Sequence, residues 1–351
     1  MRKLATIRKI DNVKAIPEAD KICAYQVGGW WVVDAVGKYK INDLVVFCEV
    51  DSFVPTALAP FLTKPGHFAK TYSVTNEDGT VTTIEGERLR TVKLRGQLSQ
   101  GLLLPIPEDT IKGAGSLIAD GLDVTDHLGI LKWEAPVNAQ LAGMARGNFP
   151  TAVPKTDQER IQNLTRELQK WTMDETTWEV TEKLDGSSCT FFMDGEGEFH
   201  VCSRNLNLKQ DEFNTFWKAA VHYNVESTMR TFGLLNVAIQ GELIGEGIQG
   251  NPYGIKGHEF HCFDIYDVKL GQYMKPNDRR ATCEFMKIKH VPVIEKNWRL
   301  VENTTKLLSI AEGKSVLNVG TEREGLVFKN NKEHNVSFKA ISNKFLLKGG
   351  D

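Results

Sequence analysis

Short apolar and alternating runs fill the first third of the chain. Leu4–Ile10, Ile22–Val27, Trp30–Val36 and Asp43–Val50 are rich in β-branched and aromatic residues. Turn signals separate them: Pro17 to Asp20, the pair Gly28-Gly29, and Gly37. Strands spaced in this way predict a small barrel or sandwich. Thr71–Thr75 and Val81–Glu85 flank Asn76-Glu-Asp-Gly79, which predicts a hairpin. Arg88–Arg95 reads as one more strand, with Arg88 and Arg90 on one face and Lys93 and Arg95 on the other. Residues 135–153 are small, contain Pro and Gly and have no period, which predicts a linker. Helical spacing then starts: Ile161, Leu164 and Leu168 recur within Asp157–Trp171, and Asp211–Tyr223 and Asn277–Ile288 predict two further helices. The pattern predicts an α+β chain, with a β-rich barrel or sandwich domain over 1–134, a linker over 135–153 and a mixed α/β domain over 154–351.

Composition adds bounds. A chain of 351 residues is long enough for two cores. A net charge of −2 excludes a uniformly basic nucleic-acid coat and leaves polynucleotide contact to local patches. The six cysteines form no Cys-x-x-Cys pair and read as small buried thiols of a reducing compartment. The start, Met1-Arg-Lys-Leu-Ala-Thr6, is not a signal peptide, and no apolar run reaches spanning length. A soluble, intracellular protein with no membrane partner is expected.

The chemistry centres on Glu182-Lys183-Leu184-Asp185-Gly186-Ser187-Ser188. The β-rich run Thr177–Lys183 leads in and Cys189–Met193 leads out, so Lys183 should end a buried strand with Asp185 on the same side. Gly186 then permits a tight turn or a close approach to a ligand. A lysine is ammonium at neutral pH, with an ordinary pKa of about 10.4. Desolvation or a nearby cation lowers that value and exposes the amine as a nucleophile.

Lys-x-Asp-Gly at a strand end resembles motif I of the covalent nucleotidyltransferases, the DNA ligases, RNA ligases and capping enzymes, whose lysine attacks a nucleotide α-phosphate. Further segments resemble that family's motifs in order: Ser203-Arg204-Asn205, Gly241-Glu242-Leu243, Glu259-Phe260 through Asp264, Glu324-Gly325 through Lys329, and Ser337-Phe338-Lys339. The resemblance implies Lys183, Asp185 and Lys339 as catalytic residues. It implies Glu182, Lys183, Arg204, Glu242, Phe260, Glu324 and Lys339 around ATP, with Phe260 under the adenine and Phe263 as its rival. The segment Pro154 to Gln162 resembles one that holds the triphosphate, which adds Lys155 and Arg160. Arg204 and Asn205 are implied at the polynucleotide. The first motif V lysine is replaced by Ser337, and Lys344 either compensates or lies on the surface. Attack on phosphorus needs an amine, a metal and cations. Asp185, Glu242 and Glu324 form an oxygen-only set suited to Mg²⁺ or Mn²⁺, and Lys329 is a further available cation.

An N-terminal domain ahead of the motifs resembles the ATP-dependent RNA ligases with an OB-fold in that place (RNA ligase family five). The implied fold is an OB-fold domain followed by an ATP-grasp-like adenylation domain. The implied partner is RNA with 3′-OH and 5′-phosphate ends, such as a nicked duplex in RNA repair, and the expected state is a monomer. Arg88, Arg90, Lys93 and Arg95 would track phosphates on the OB barrel; the bland alternative is a solvated strand. DNA ligases and GTP-using capping enzymes carry their OB domain after motif V, where this chain stops. A catalytically dead nucleic-acid-binding relative is the third reading. Gly245-Glu-Gly247-Ile-Gln-Gly250 spells a dinucleotide fingerprint, but Asn251-Pro252 follows where the helix must start, so a loop near the active site is expected instead. His258, His261 and Cys262 read as packing residues.

Overall fold

The computed structural model describes residues 3–75, 80–108, 118–134 and 143–349. The chain divides into two compact units, Met1–Pro136 and Val137–Gly350. The hairpin turn at 76–79 and the first part of the expected linker, 135–142, lie outside the described residues.

The first unit is built from antiparallel strands. Ala5–Lys9, Leu44–Cys48 and Leu102–Leu104 form one sheet, Asn12–Ala15, Ile22–Val27 and Trp30–Ala35 another. Trp30 is fully buried against Phe47, so its ring belongs to the core. The expected basic strand is not continuous. One strand ends at Arg88, a three-residue strand spans Val92–Leu94, and Arg95 sits in a left-handed turn before Gly96. Arg88 does not face solvent: its guanidinium pairs with Asp51 at 2.8 Å and lies 5.7 Å from the Trp133 ring. Leu89 and Thr91 are buried on either side of Arg90, and the alternation then ends, since Val92, Lys93, Leu94 and Arg95 are all exposed. Arg90, Lys93 and Arg95 are exposed.

The second unit holds two sheets. A five-stranded sheet runs in the order Glu159–Arg160, Ser337–Ile341, Gly325–Asn330, Thr177–Lys183, Val293–Arg299. The other, eight-stranded, includes Phe199–Cys202, Ser187–Met193, Val237–Gly245 and His258–Asp267 as successive neighbours. The turn Leu184–Gly186 carries the chain from one sheet to the other. Ala145–Asn148, within the expected linker, pairs with Leu206–Leu208 as an edge strand. The helices Thr165–Met173 and Thr304–Ala311 bring Leu168, Leu307 and Leu308 onto the outer face of the five-stranded sheet, where Trp178, Phe328 and Phe338 stack. Thr215–His222 and Pro276–Phe285 contribute Trp217 and Cys283 to the core that holds Phe191, Phe260 and Cys262 of the eight-stranded sheet. Both expected helices start or stop short of their sequence limits. Asn214 accepts from the Phe216 and Trp217 amides and so fixes the first turn of Thr215–His222. The helical spacing read from Asp157 onward becomes a helix only at Thr165. All six cysteines are buried and free.

The inner faces of the two sheets are joined by a buried ion network. Glu179 pairs with Arg279 and Arg280, and Arg279 lies 3.7 Å from Asp264, which takes the Lys329 ammonium at 2.5 Å. Lys329 also donates to the Phe263 carbonyl. It is therefore committed to structure and is not an available cation for phosphate. Burial pulls its pKa down to about 8, against the pull of Asp264. His290 donates through Nδ1 to the Val291 carbonyl and accepts from Arg279 at Nε2, 3.1 Å away. Burial and the Arg279 charge push its pKa down to about 3. A histidine held neutral below its unfolded value contributes stability in full above pH ~6.5 and loses it as pH falls towards about 3. The expected result is a melting temperature that drops between pH 6.5 and 5 in wild type and drops less in His290→Gln, measured by thermal denaturation at closely spaced pH values. Parallel curves for the two proteins would contradict it.

Candidate active site

Strand register assembles the site. On the inner face of the five-stranded sheet, Lys183, Gly325 and Ile341 form one rung, Thr181, Val327 and Lys339 the next, and Glu179, Lys329 and Ser337 the third. Side chains on alternate residues share a face, so Lys183 and Lys339 project together. Arg160 aligns with Lys339 in the parallel edge strand and is buried. Ser337, at the position of the missing motif V lysine, lies on the rung already occupied by the Lys329 cation. Lys344 points elsewhere: it is on the helix Asn343–Leu347, exposed, in a 3.0 Å pair with Glu312. It does not stand in for the missing lysine.

Glu324 precedes Gly325 and so reaches the Lys183 rung. Its two oxygens lie 2.7 and 2.8 Å from the Lys183 ammonium. On the eight-stranded sheet Glu242 pairs with Ser188 and His261 in register and shares their face. Gly186 makes the close approach possible. A Cβ there would come within 2.6 Å of the Leu243 carbonyl oxygen, 2.7 Å of Ile244 Cγ2 and 2.9 Å of Glu242 Cγ. Its role is to let the lysine turn lie against the Glu242 strand.

The electrostatics differ from the sequence expectation. Burial opposes the charge on Lys183, but Glu324, Glu242 and Asp185 outweigh it and raise the ammonium above its ordinary pKa. Burial, with Glu324 and Asp185 adding to it against Lys183, pushes Glu242 up to about 8. Three carboxylates act on one lysine, so their negative charge exceeds what its ammonium balances. An all-oxygen donor set with surplus negative charge fits a hard divalent cation. The tightest grouping of metal-type side chains among the described residues is elsewhere, at Asp194, Glu198 and His200. There His200 Nδ1 faces the Asn207 amide at 3.0 Å, which leaves Nε2 protonated towards Asp194, a poor metal-ligand state.

Two expected nucleotide contacts lie away from the group. Glu182 projects to the opposite, helix-covered face, where it is buried and accepts from the Val316 amide at 2.8 Å. Phe260 is 0% exposed, its ring 4.6 Å from Phe191 in the helix-covered core. The register irregularity opposite Gln240 and Gly241 leaves Phe263 as the extra residue between Cys262 and Asp264. Phe260, Cys262 and Ile265 all reach that core, so Phe263 is turned to the other side. There it packs half-buried near Leu184, Ile244 and Tyr253.

The segment entering the unit lies across the same face. Gln240 donates to the Pro154 carbonyl at 2.9 Å, Thr156 and Ser188 hydroxyls are 3.3 Å apart, and Lys155 donates to Asn205 at 2.9 Å. Arg204 is held by both Asp157 oxygens at 2.9 and 3.0 Å. A small cavity there is lined by Lys155, Asp157, Ser188 and Arg204 among others. Sequence reasoning missed Tyr253, whose hydroxyl accepts from the Asp185 amide at 2.6 Å; it had no motif to mark it.

Residues 176–341 match the RNA ligase family model, and residues 4–106 match an OB-fold domain. No curated protein sequence matches the chain. The chain is similar to the solved structure of Naegleria gruberi RNA ligase with PPi, at 40% identity, covering 100% of each chain with a TM-score of 0.86. It is similar as well to a lysine-to-alanine mutant of that ligase with ATP and Mn, at 39% identity over 98% of each chain and a TM-score of 0.85. A lysine-to-methionine mutant with AMP and Mn gives 39% identity over 98% of each chain and 0.85.

Proposed function

The chain belongs to the RNA ligase family, and from that premise we infer that Lys183 is the nucleophile of an ATP-dependent RNA ligase. The observation that carries this reading is the Lys183–Glu324 contact at 2.7 Å, with Asp185 and Glu242 in the same electrostatic group. ATP and a divalent cation are taken for this chain because relatives at 39% identity hold ATP and Mn. Asp185, Glu242 and Glu324 would hold the cation, which would neutralise phosphate charge.

The chain's own residues do the following. Lys183 Nζ forms a bond to the α-phosphorus while the bond to pyrophosphate breaks. The amine is reactive only after losing the proton that it shares with Glu324. Lys339 projects from the same sheet face and supplies positive charge to the α-phosphate, with Arg160 beside it. Phe263 takes the adenine-stacking role that Phe260 cannot reach. The AMP then moves from Lys183 to a 5′-phosphate, and a 3′-hydroxyl displaces it. Arg204 and Asn205, with Lys155, grip the polynucleotide next to the amine. Arg90, Lys93 and Arg95 add salt-sensitive phosphate contact in the N-terminal unit. The OB-fold ahead of the motifs argues against the DNA ligase and capping-enzyme readings, and an intact Lys183 argues against a dead relative. No described helix is long and apolar enough to cross a membrane. Broken or nicked RNA duplexes are the proposed substrates, sealed by a monomer.

The reading makes a demand on sugar. The attacking 3′-oxygen must lie in line with the departing AMP, and a ribose pucker and 2′-hydroxyl set its position. The 5′ strand presents only its phosphate. Four nicked duplexes, with one or two ribonucleotides on either, both or neither side of the nick, test this. Sealing is expected wherever the 3′-OH end is ribose. Efficient sealing of an all-DNA nick would overturn the RNA reading, and a need for ribose on the 5′ side alone would overturn the geometric argument.

A further inference from the structure

The loop Gly245 to Gly257 spells a dinucleotide fingerprint that its fold does not support. It is nevertheless tightly built. Gly245, at φ +131°, lies too close to the Gly257 carbonyl for any Cβ. Glu246 donates its amide to that carbonyl at 2.9 Å. Asn251 closes the tip on Ile255, donating at 2.9 Å and accepting at 3.1 Å. Asn318 reaches in from the motif IV side and donates to the Pro252 carbonyl at 2.9 Å. All of this fixes Tyr253, which is 7% exposed, its ring packed among Leu184, Ile244 and Val291. The Tyr253 hydroxyl accepts from the Asp185 amide at 2.6 Å, and Gln249 of the same loop donates to the Gly186 carbonyl at 3.4 Å.

We propose that Tyr253 is a positioning residue for lysine adenylylation: its hydroxyl clamps the Asp185 amide and so sets the Lys183–Gly186 turn for attack on the α-phosphate. The inference rests on the ligase reading and adds a residue to it. The geometry is one-sided in a useful way. The ring packs, against Leu184 of the turn among others, and the oxygen alone makes the hydrogen bond to Asp185, so the two contributions can be separated by removing one atom. Lys183 is the last residue of its strand, and Asp185 lies in the unpaired turn beyond it. The sheet ladder ends at the Lys183–Gly325 rung, and the Tyr253 bond takes over beyond it. A displacement of the order of an ångström at an attacking atom costs about a hundredfold in rate, so a turn held from outside the ladder matters. Burial keeps the phenol protonated far above neutral pH, so the clamp is the same across working conditions.

The test is Tyr253→Phe in the full chain, read by single-turnover transfer of label from α-labelled ATP to protein over a range of ATP concentrations, together with thermal melting. The rate at saturating ATP should fall about five- to tenfold, the worth of one neutral hydrogen bond. Half-saturation should stay within about twofold and the melting temperature should match wild type, because the ring still packs. A wild-type rate in the variant overturns the proposal and leaves the ligase reading standing. So does a raised half-saturation with an unchanged rate, which would make Tyr253 an ATP contact. A fall in rate matched by a fall in melting temperature also overturns it, as a packing effect. Failure of the wild-type protein to label at all would be read in its own arm and would overturn the ligase reading together with this one.

Discussion

Lys183→Met is expected to abolish transfer of label from α-labelled ATP to protein, by more than about 10⁴-fold, the scale on which loss of a nucleophile acts. The methionine fills a similar volume at the end of the Thr177–Lys183 strand and leaves the sheet ladder intact. Lys183→Arg should fail as completely, since a guanidinium is not a free amine at any working pH. A pre-adenylylated 5′ end already carries the AMP that Lys183 would deliver. The Met variant should therefore still join such an end to a 3′-hydroxyl while failing on a plain 5′-phosphate. Loss of both reactions with an unchanged melting temperature would mean that Lys183 acts throughout the pathway. Labelling of the Met variant at the wild-type level would remove Lys183 from the chemistry.

The lysine and its partners were legible because they are local. Lys183, Asp185 and Gly186 lie within four residues, and the order of the later segments supplied Glu242, Glu324 and Lys339. What failed were inferences that depend on register or on distant partners. Phe260 holds the adenine place by motif order alone, and that order does not tell which strand face looks into the site; burial of Phe260 beside Phe191 leaves Phe263 on the face of Leu184 and Tyr253. Arg88 was read as a phosphate contact because its partners, Asp51 and Trp133, are far away in sequence. Glu182 was carried along by its neighbour, although alternation alone places it on the opposite face from Lys183. Gly186 reads as a position of close approach, but the strand it approaches, the one that carries Glu242, is far away in sequence and has no local signal. Tyr253 sits in a loop whose glycines suggested a different chemistry. The buried charges Glu179, Arg279 and Lys329 were invisible as a network, since each alone reads as an ordinary surface residue.

Arg279→Met is the second large effect expected. The guanidinium is 1% exposed and touches Glu179, Asp264 and His290 from three different strands. Its removal takes a partner from two buried carboxylates, and breaking one side of a buried ion pair costs about 3–5 kcal/mol. For a unit of this size about 3 kcal/mol corresponds to a drop of roughly 6–12 °C in melting temperature. Arg280 still reaches Glu179, which favours the lower end of that range. Activity well below the transition should survive better than stability does, because the network lies one or more rungs from Lys183. Thermal melting of the variant beside wild type checks this, and an unchanged melting temperature would show that the network does not hold the sheets together.

As a ligase of this kind, the protein carries AMP on one particular amine. The protein is incubated with α-labelled ATP, and separately with α-labelled GTP, in the presence of Mg²⁺ or Mn²⁺, then denatured, digested and mapped by mass. One adenylylated peptide, the one containing Lys183, is expected from ATP and none from GTP. Adenylylation at another lysine, or guanylylation of Lys183, would contradict it.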